Sequence, residues 1–118
     1  MNNYQKTIES LKRDLGSALL SADIWDKKSG LSMGSYNPNA KATAILDKIV
    51  NDFENSLQEL GFPGLNKYIV ADLDANTALV IINLSENFMV GNIIDKSQTT
   101  LGILFNVAIP AAIESFNQ

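Results

Sequence analysis

The sequence predicts an α/β (α+β) sandwich of three layers, with a five-stranded antiparallel sheet covered by helices on both faces. Three observations lead there. The hydrophobic period changes along the chain in the order α-β-β-α-β-β-β-α. One strand-like run, Ala78-Leu79-Val80-Ile81-Ile82, is continuously apolar instead of alternating, which marks a strand covered on both sides. Short turn clusters, Asp74-Ala75-Asn76 and Ser85-Glu86-Asn87, separate the last three strands and favour a meander. With 118 residues the chain has the usual size of one domain, expected to span 1–118 without a linker.

In the first element, Tyr4–Leu15, the apolar residues Tyr4, Ile8, Leu11 and Leu15 make a narrow stripe on one helical face. Gly16 stops that helix. Two strands follow, Ala18–Trp25 and Leu31–Tyr36, joined by Asp26-Lys27-Lys28-Ser29-Gly30. Strict alternation puts Leu20, Ala22 and Ile24 on one face and Leu19, Ser21, Asp23 and Trp25 on the other. The second face of this hairpin is partly polar, so it is expected toward one side of the sheet.

Asn37-Pro38-Asn39 ends the hairpin, and Asn39 is placed to cap the long helix Ala40–Leu60. Eight apolar residues of that helix, from Ala42 to Leu60, fall within an arc of about 140°. That is wider than a helix needs to rest on one surface, so a second contact is expected. At ~1.5 Å per residue the helix runs about 31 Å, enough to cross a small sheet. It is expected to cover one face alone, with the two terminal helices sharing the other.

Strands Lys67–Leu73, Thr77–Leu84 and Phe88–Asp95 complete the sheet, with Ala78–Ile82 in its middle. The last helix is expected to open at Ser97 and end at Phe116, its inner stripe formed by Leu101, Phe105, Ala108, Ala112 and Phe116. Ile103 and Val107 point nearly opposite, so either a partner buries them or an apolar patch stays open. Pro110 should kink or weaken the last two turns.

Composition narrows the chemistry. The formal charge is −4 and the basic residues are scattered, which gives no concentrated positive surface for nucleic acid. Without cysteine or histidine there is no thiol nucleophile, no Ser-His pair and no imidazole metal ligand. No glycine-rich phosphate cradle occurs, and no apolar run is long enough for membrane insertion. A cytoplasmic, non-enzymatic protein without metal or cofactor is the expectation.

Three carboxylate clusters remain. Asp72 with Asp74, and Asp23 with Asp26, are read as turn residues in preference to cation ligands. Asp47, Asp52, Glu54 and Glu59 are read as the solvated side of the long helix. Trp25, the one tryptophan, is read as a packing residue before a binding hot spot, and Tyr36 and Tyr68 as strand aromatics.

The punctuation of these elements resembles the roadblock family, also called dynein light chain roadblock-type, and the branch that partners prokaryotic small GTPases. The likeness lies in Gly16 before Ala18-Leu19-Leu20, in Gly30 before Leu31-Ser32-Met33, in the long helix ending at Gly61, and in Leu101-Gly102-Ile103-Leu104. The polar segment Trp25–Ser29 and Pro110 depart from the pattern. The resemblance implies a homodimer with third strands paired edge to edge through Tyr68, Ile69, Val70 and Ala71. It also implies long helices side by side, which assigns Ile45, Ile49, Val50, Phe53 and Leu57 to the same interface. Functionally it implies a scaffold or regulator of a small Ras-like GTPase, or an adaptor in a protein complex. Arg13, the one arginine, is expected to face away from that platform. The alternative from another class is a small-ligand sensor of profilin-like architecture, which requires a cavity with polar anchors.

Overall fold

A computed structural model describes residues 1–118. Helix α1 (Asn3–Leu15) begins with a reciprocal cap. Asn2 accepts the Gln5 N–H at 2.9 Å while the Gln5 side chain reaches back to the Asn2 N–H. After a 3-10 turn come β1 (Leu19–Asp26) and β2 (Ser32–Tyr36). Helix α2 (Ala42–Glu59) follows, then β3 (Tyr68–Leu73), β4 (Thr77–Asn83) and β5 (Phe88–Asp95). Asn39 does not cap α2: the helix opens two residues later than expected, with Lys41 at the cap position and no side-chain cap, and Asn39 accepts the Lys41 N–H at 3.0 Å in the turn before it.

The five strands are antiparallel throughout, in the order β2-β1-β5-β4-β3. β5 is therefore the central strand, and the continuously apolar β4 lies one place from the edge. Both are covered on two faces, but Gly91 and Asn92 interrupt the apolar run of β5 and disguise it. Gly91 is required: a Cβ there would lie 2.8 Å from Leu46 Cδ1 and 3.2 Å from Trp25 Cζ3. The edges differ in kind. β3 pairs with β4 in unbroken register, whereas the short β2 pairs with β1 through a shift at Ile24/Trp25.

A second irregularity, between Leu19 and Ser21, overturns the strict alternation expected of β1. Leu19 turns inward with Ala22 and Ile24, and Leu20 is left exposed. The hairpin connection keeps its expected length of five residues but lies one place later: Asp26 belongs to β1, and residues 27–31 make the reversal before β2 opens at Ser32.

α2 covers one sheet face, where its Val50 packs with Trp25, Ile81 and Met89. The terminal helices cover the other, where Ile8, Leu11 and Leu15 meet Leu104, Ala108, Ile109 and Ala112 above Val80, Ile82, Val90 and Ile94. Tyr4, Phe88 and Phe116 close this layer, with ring centroids 5.3–5.9 Å apart.

The last helical rod corrects three expectations. Asp95 accepts both the Ser97 N–H and its hydroxyl, which shapes a 3-10 turn over Lys96–Gln98. The rod itself opens later, where Thr100 Oγ1 accepts the Ile103 N–H at 3.1 Å. It then runs as α3 (Leu101–Ile103), a π-helical turn (Leu104–Ala108) and α4 (Ile109–Phe116). Pro110 lacks an N–H and would crowd the carbonyl four residues back in a regular α-helix. The wide turn just before it relieves that crowding, so α4 continues to Phe116. The added residue also shifts the inner row. Leu104 and Ile109 are buried, Phe105 is half-buried and Leu101 is exposed.

Candidate protein-interaction surface

Three residues of α2 at four-residue spacing, Ile45, Ile49 and Phe53, form one row along the helix. They are 54%, 50% and 42% exposed, while Leu46 and Leu57 beside them are half-buried. The wide apolar arc thus divides into an inner part resting on the sheet and an outer part resting on nothing. Leu60 and Phe62, just past the helix, are exposed as well. Gly61, at φ 73°, provides the left-handed residue that ends the helix there.

Val50 does not join the outer row. It is 5% exposed and packs with Trp25, Ile81 and Met89, inside the α2–sheet layer. At 100° per residue it lies about 60° from Phe53, at the opposite end of the apolar arc from Ile45.

β3 is the second component. One of its edges pairs with β4 and no strand follows on the other. Tyr68 and Val70 are exposed on the terminal-helix side, where Tyr68 meets Phe105 at 5.3 Å. Ile69 and Ala71 are half-buried, Ile69 against the α2-side core. Sequence reasoning did not single out Leu73, which is exposed at the end of the same strand. On the terminal-helix layer Leu101, Ile103 and Val107 are exposed, so the outward residues Ile103 and Val107 do leave an apolar patch in the single chain.

The acidic residues of α2 are not uniformly solvated. Asp47 Oδ1 accepts the indole N–H of Trp25 at 3.0 Å, and Glu54 accepts the Leu65 N–H at 3.1 Å. Both anchor α2 to its neighbours, whereas Asp52 is exposed and pairs with Lys48 at 2.8 Å. Trp25 is fully buried, so its reading as a packing residue stands and a hot spot is excluded in this chain.

Asp72 pairs with Lys96, and the Asp74 carbonyl accepts the Thr77 N–H and hydroxyl in the β3–β4 turn. Asp26 accepts the Lys28 N–H at 2.8 Å, as a turn residue does. Asp23 departs from that reading: it is 6% exposed on the α2 face and accepts a hydrogen bond from the Ser32 hydroxyl. Burial pushes its pKa up, and the Ser32 bond opposes that only in part. Burial also lowers the pKa of Lys27, against the attraction of Glu54, Glu86 and Asp47. Arg13 is bound to Asp14 and Ser10 on α1, in the layer opposite α2. No helix is long and apolar enough to cross a membrane.

No family model matches the sequence, and no curated protein matches it. Solved structures do. MglB of Myxococcus xanthus superposes with a TM-score of 0.77 at 15% identity, covering 95% of this chain and 92% of that one. A Roadblock/LC7 domain from Streptomyces avermitilis gives a TM-score of 0.73 at 11% identity, covering 99% and 96%. The chain has the roadblock fold. The gliding protein MglB of Thermus thermophilus shares that fold at a TM-score of 0.68 and 18% identity, covering 97% of this chain and 87% of its own.

Proposed function

We propose that this roadblock-fold chain is a non-enzymatic platform. Two copies join through their β3 edges and the flanking α2 helices. The paired helices then present a surface to a small Ras-like GTPase, or hold the chain in a larger protein complex. One observation carries the reading: Ile45, Ile49 and Phe53 stay exposed on a helix whose inner face is already filled. An apolar row of that kind beside an unpaired strand edge is costly in an isolated chain and useful in an assembled one.

The GTPase partner follows from the family that the sequence resembles. A platform of this kind acts by holding mobile loops of its partner in one arrangement, because the chain brings no catalytic group of its own. An arginine supplied to the phosphates is one route to faster hydrolysis. Arg13 is occupied by Asp14 and lies in the layer away from α2, so the platform works by positioning the GTPase's own residues.

Light scattering of the purified chain tests the first step, with the mass of a dimer expected at micromolar concentration. A strict monomer at high micromolar concentration overturns it. Single-turnover GTP hydrolysis by a co-purifying Ras-like GTPase tests the second. Arg13→Ala is expected to leave any acceleration unchanged, and its loss with the dimer intact would reject positioning as the mechanism.

A further inference from the structure

A crevice of about 260 Å³ opens between the start of α2 and the end of the sheet that α2 leaves uncovered. Ala42, Ile45, Leu46, Leu79 and Ile93 supply apolar wall, and Asp23 lies among its lining residues. At the ~30 Å³ that one water occupies in the liquid, there is room for about eight non-hydrogen atoms.

The polar group in this crevice is unusual. Asp23 is almost wholly buried, yet its one side-chain hydrogen bond comes from the Ser32 hydroxyl to Oδ1. Oδ2 receives none but is not sealed in the interior, so it is open at the crevice, and no lysine or arginine nitrogen lies within 4.0 Å of either oxygen. An ionised carboxylate has about four acceptor positions, and the open oxygen leaves several of them free for a donor in the crevice. Lys41 also lines the crevice, but it is exposed and makes no ion pair with Asp23. Partial burial pushes the Asp23 pKa up, against the Ser32 bond.

We propose that this crevice binds a small organic cation, an ammonium or guanidinium group carried on a short aliphatic stem. The charged head donates to Asp23 Oδ2, and the stem lies against Ala42, Ile45, Leu46 and Leu79. A charge-assisted hydrogen bond to a buried carboxylate is roughly twice as strong as a neutral one, so a cation is preferred to an alcohol of equal size. The site is built from one chain; because Ile45 also stands in the row assigned to pairing, the mass in solution is measured alongside binding, which separates occlusion by a second copy from the lack of a site.

Amide-detected NMR titration with n-butylguanidinium tests it, with n-pentanol as the neutral comparator. The expected result is saturable shifts at Ser21–Asp23, Ala42–Leu46 and Leu79, with binding at least about tenfold tighter than pentanol. Asp23→Asn keeps the size of the side chain and its acceptor for Ser32, and is expected to weaken binding about tenfold. Ala42→Phe fills the crevice while keeping the carboxylate, and is expected to abolish binding even where Asp23→Asn perturbs the fold. The absence of saturable shifts, equal binding by pentanol, or unchanged binding in folded Asp23→Asn or Ala42→Phe overturns the proposal.

The same chemistry occurs in a free alkylguanidine and in an arginine side chain of a docked protein. N-acetyl-arginine methylamide separates these sources. Binding by butylguanidinium alone assigns the site to a free ligand, and equal binding by both assigns it to a side chain.

Discussion

The indole N–H of Trp25 donates to Asp47 Oδ1 at 3.0 Å, and this bond ties β1 to α2 across the sheet–helix boundary. Because Trp25 is fully buried, its N–H has no access to water if the acceptor is removed. Asp47→Ala is therefore expected to cost about 1–3 kcal/mol, and Asp47→Asn, which keeps an acceptor, much less. Urea unfolding followed by the emission of this single tryptophan measures both.

At Gly91 the α2 layer comes close against the sheet. Gly91→Ala puts a methyl carbon within 2.8 Å of Leu46 Cδ1 and 3.2 Å of Trp25, and is expected to destabilise by about 1–3 kcal/mol. Adding Leu46→Ala removes the closer obstacle. The double variant is expected to lose less than the sum of the two single changes, which a thermodynamic cycle on the four proteins measures.

Asp23 gives a pH dependence of a definite sign. Its folded pKa is raised above the ordinary 3.8, so the folded chain holds this proton more tightly than the unfolded chain. Its contribution to stability is then present below the ordinary value and is lost as pH rises through the raised one. Asp23→Asn does not titrate. Relative to wild type, the melting temperature of this variant is expected to improve as pH rises, which a calorimetric series over ~pH 3–7 measures.

The two classes of apolar residue on α2 should separate experimentally. Ile49→Glu and Phe53→Glu alter exposed positions and are expected to change monomer stability by no more than about 0.5 kcal/mol. Both are expected to lower the mass in solution from dimer to monomer. Val50→Ala removes buried carbon beneath the same helix and is expected to cost about 2 kcal/mol without a direct effect on association. Chemical unfolding and light scattering on the three variants together check the division.

Much of this fold was legible because the chain announces its changes of period. β5 begins at Phe88 and ends at Asp95, as its pattern predicts, and the excess apolar arc of α2 does leave Ile45, Ile49 and Phe53 uncovered. What escaped the sequence depends on single-residue shifts and on distant partners. Periodicity cannot register the irregularity that turns Leu19 inward, nor the π turn that exchanges Leu104 for Leu101. The central place of β5 was hidden because Gly91 makes room for Leu46 and Trp25 instead of supplying its own apolar bulk. Asp47 and Glu54 looked solvated because their donors, Trp25 and Leu65, lie far away in sequence or beyond the helix. Asp23 escaped for a related reason: the residues around it, on β5 and at the start of α2, lie far away in sequence, and no local pattern records them.

The inequality of the two sheet edges limits how many copies can assemble. β3 offers a regular edge that a second copy can meet about a two-fold axis, which uses the same edge on both partners. β2 offers only a short, irregular strand, and Tyr4 presses on it so closely that a Cβ at Gly34 would lie 3.0 Å from the Tyr4 Cβ. A chain with two equally regular edges has the means to polymerise without end. Here one edge is regular and the other is not, so the β3 pairing proposed above would stop at two copies and leave no second edge for fibre growth.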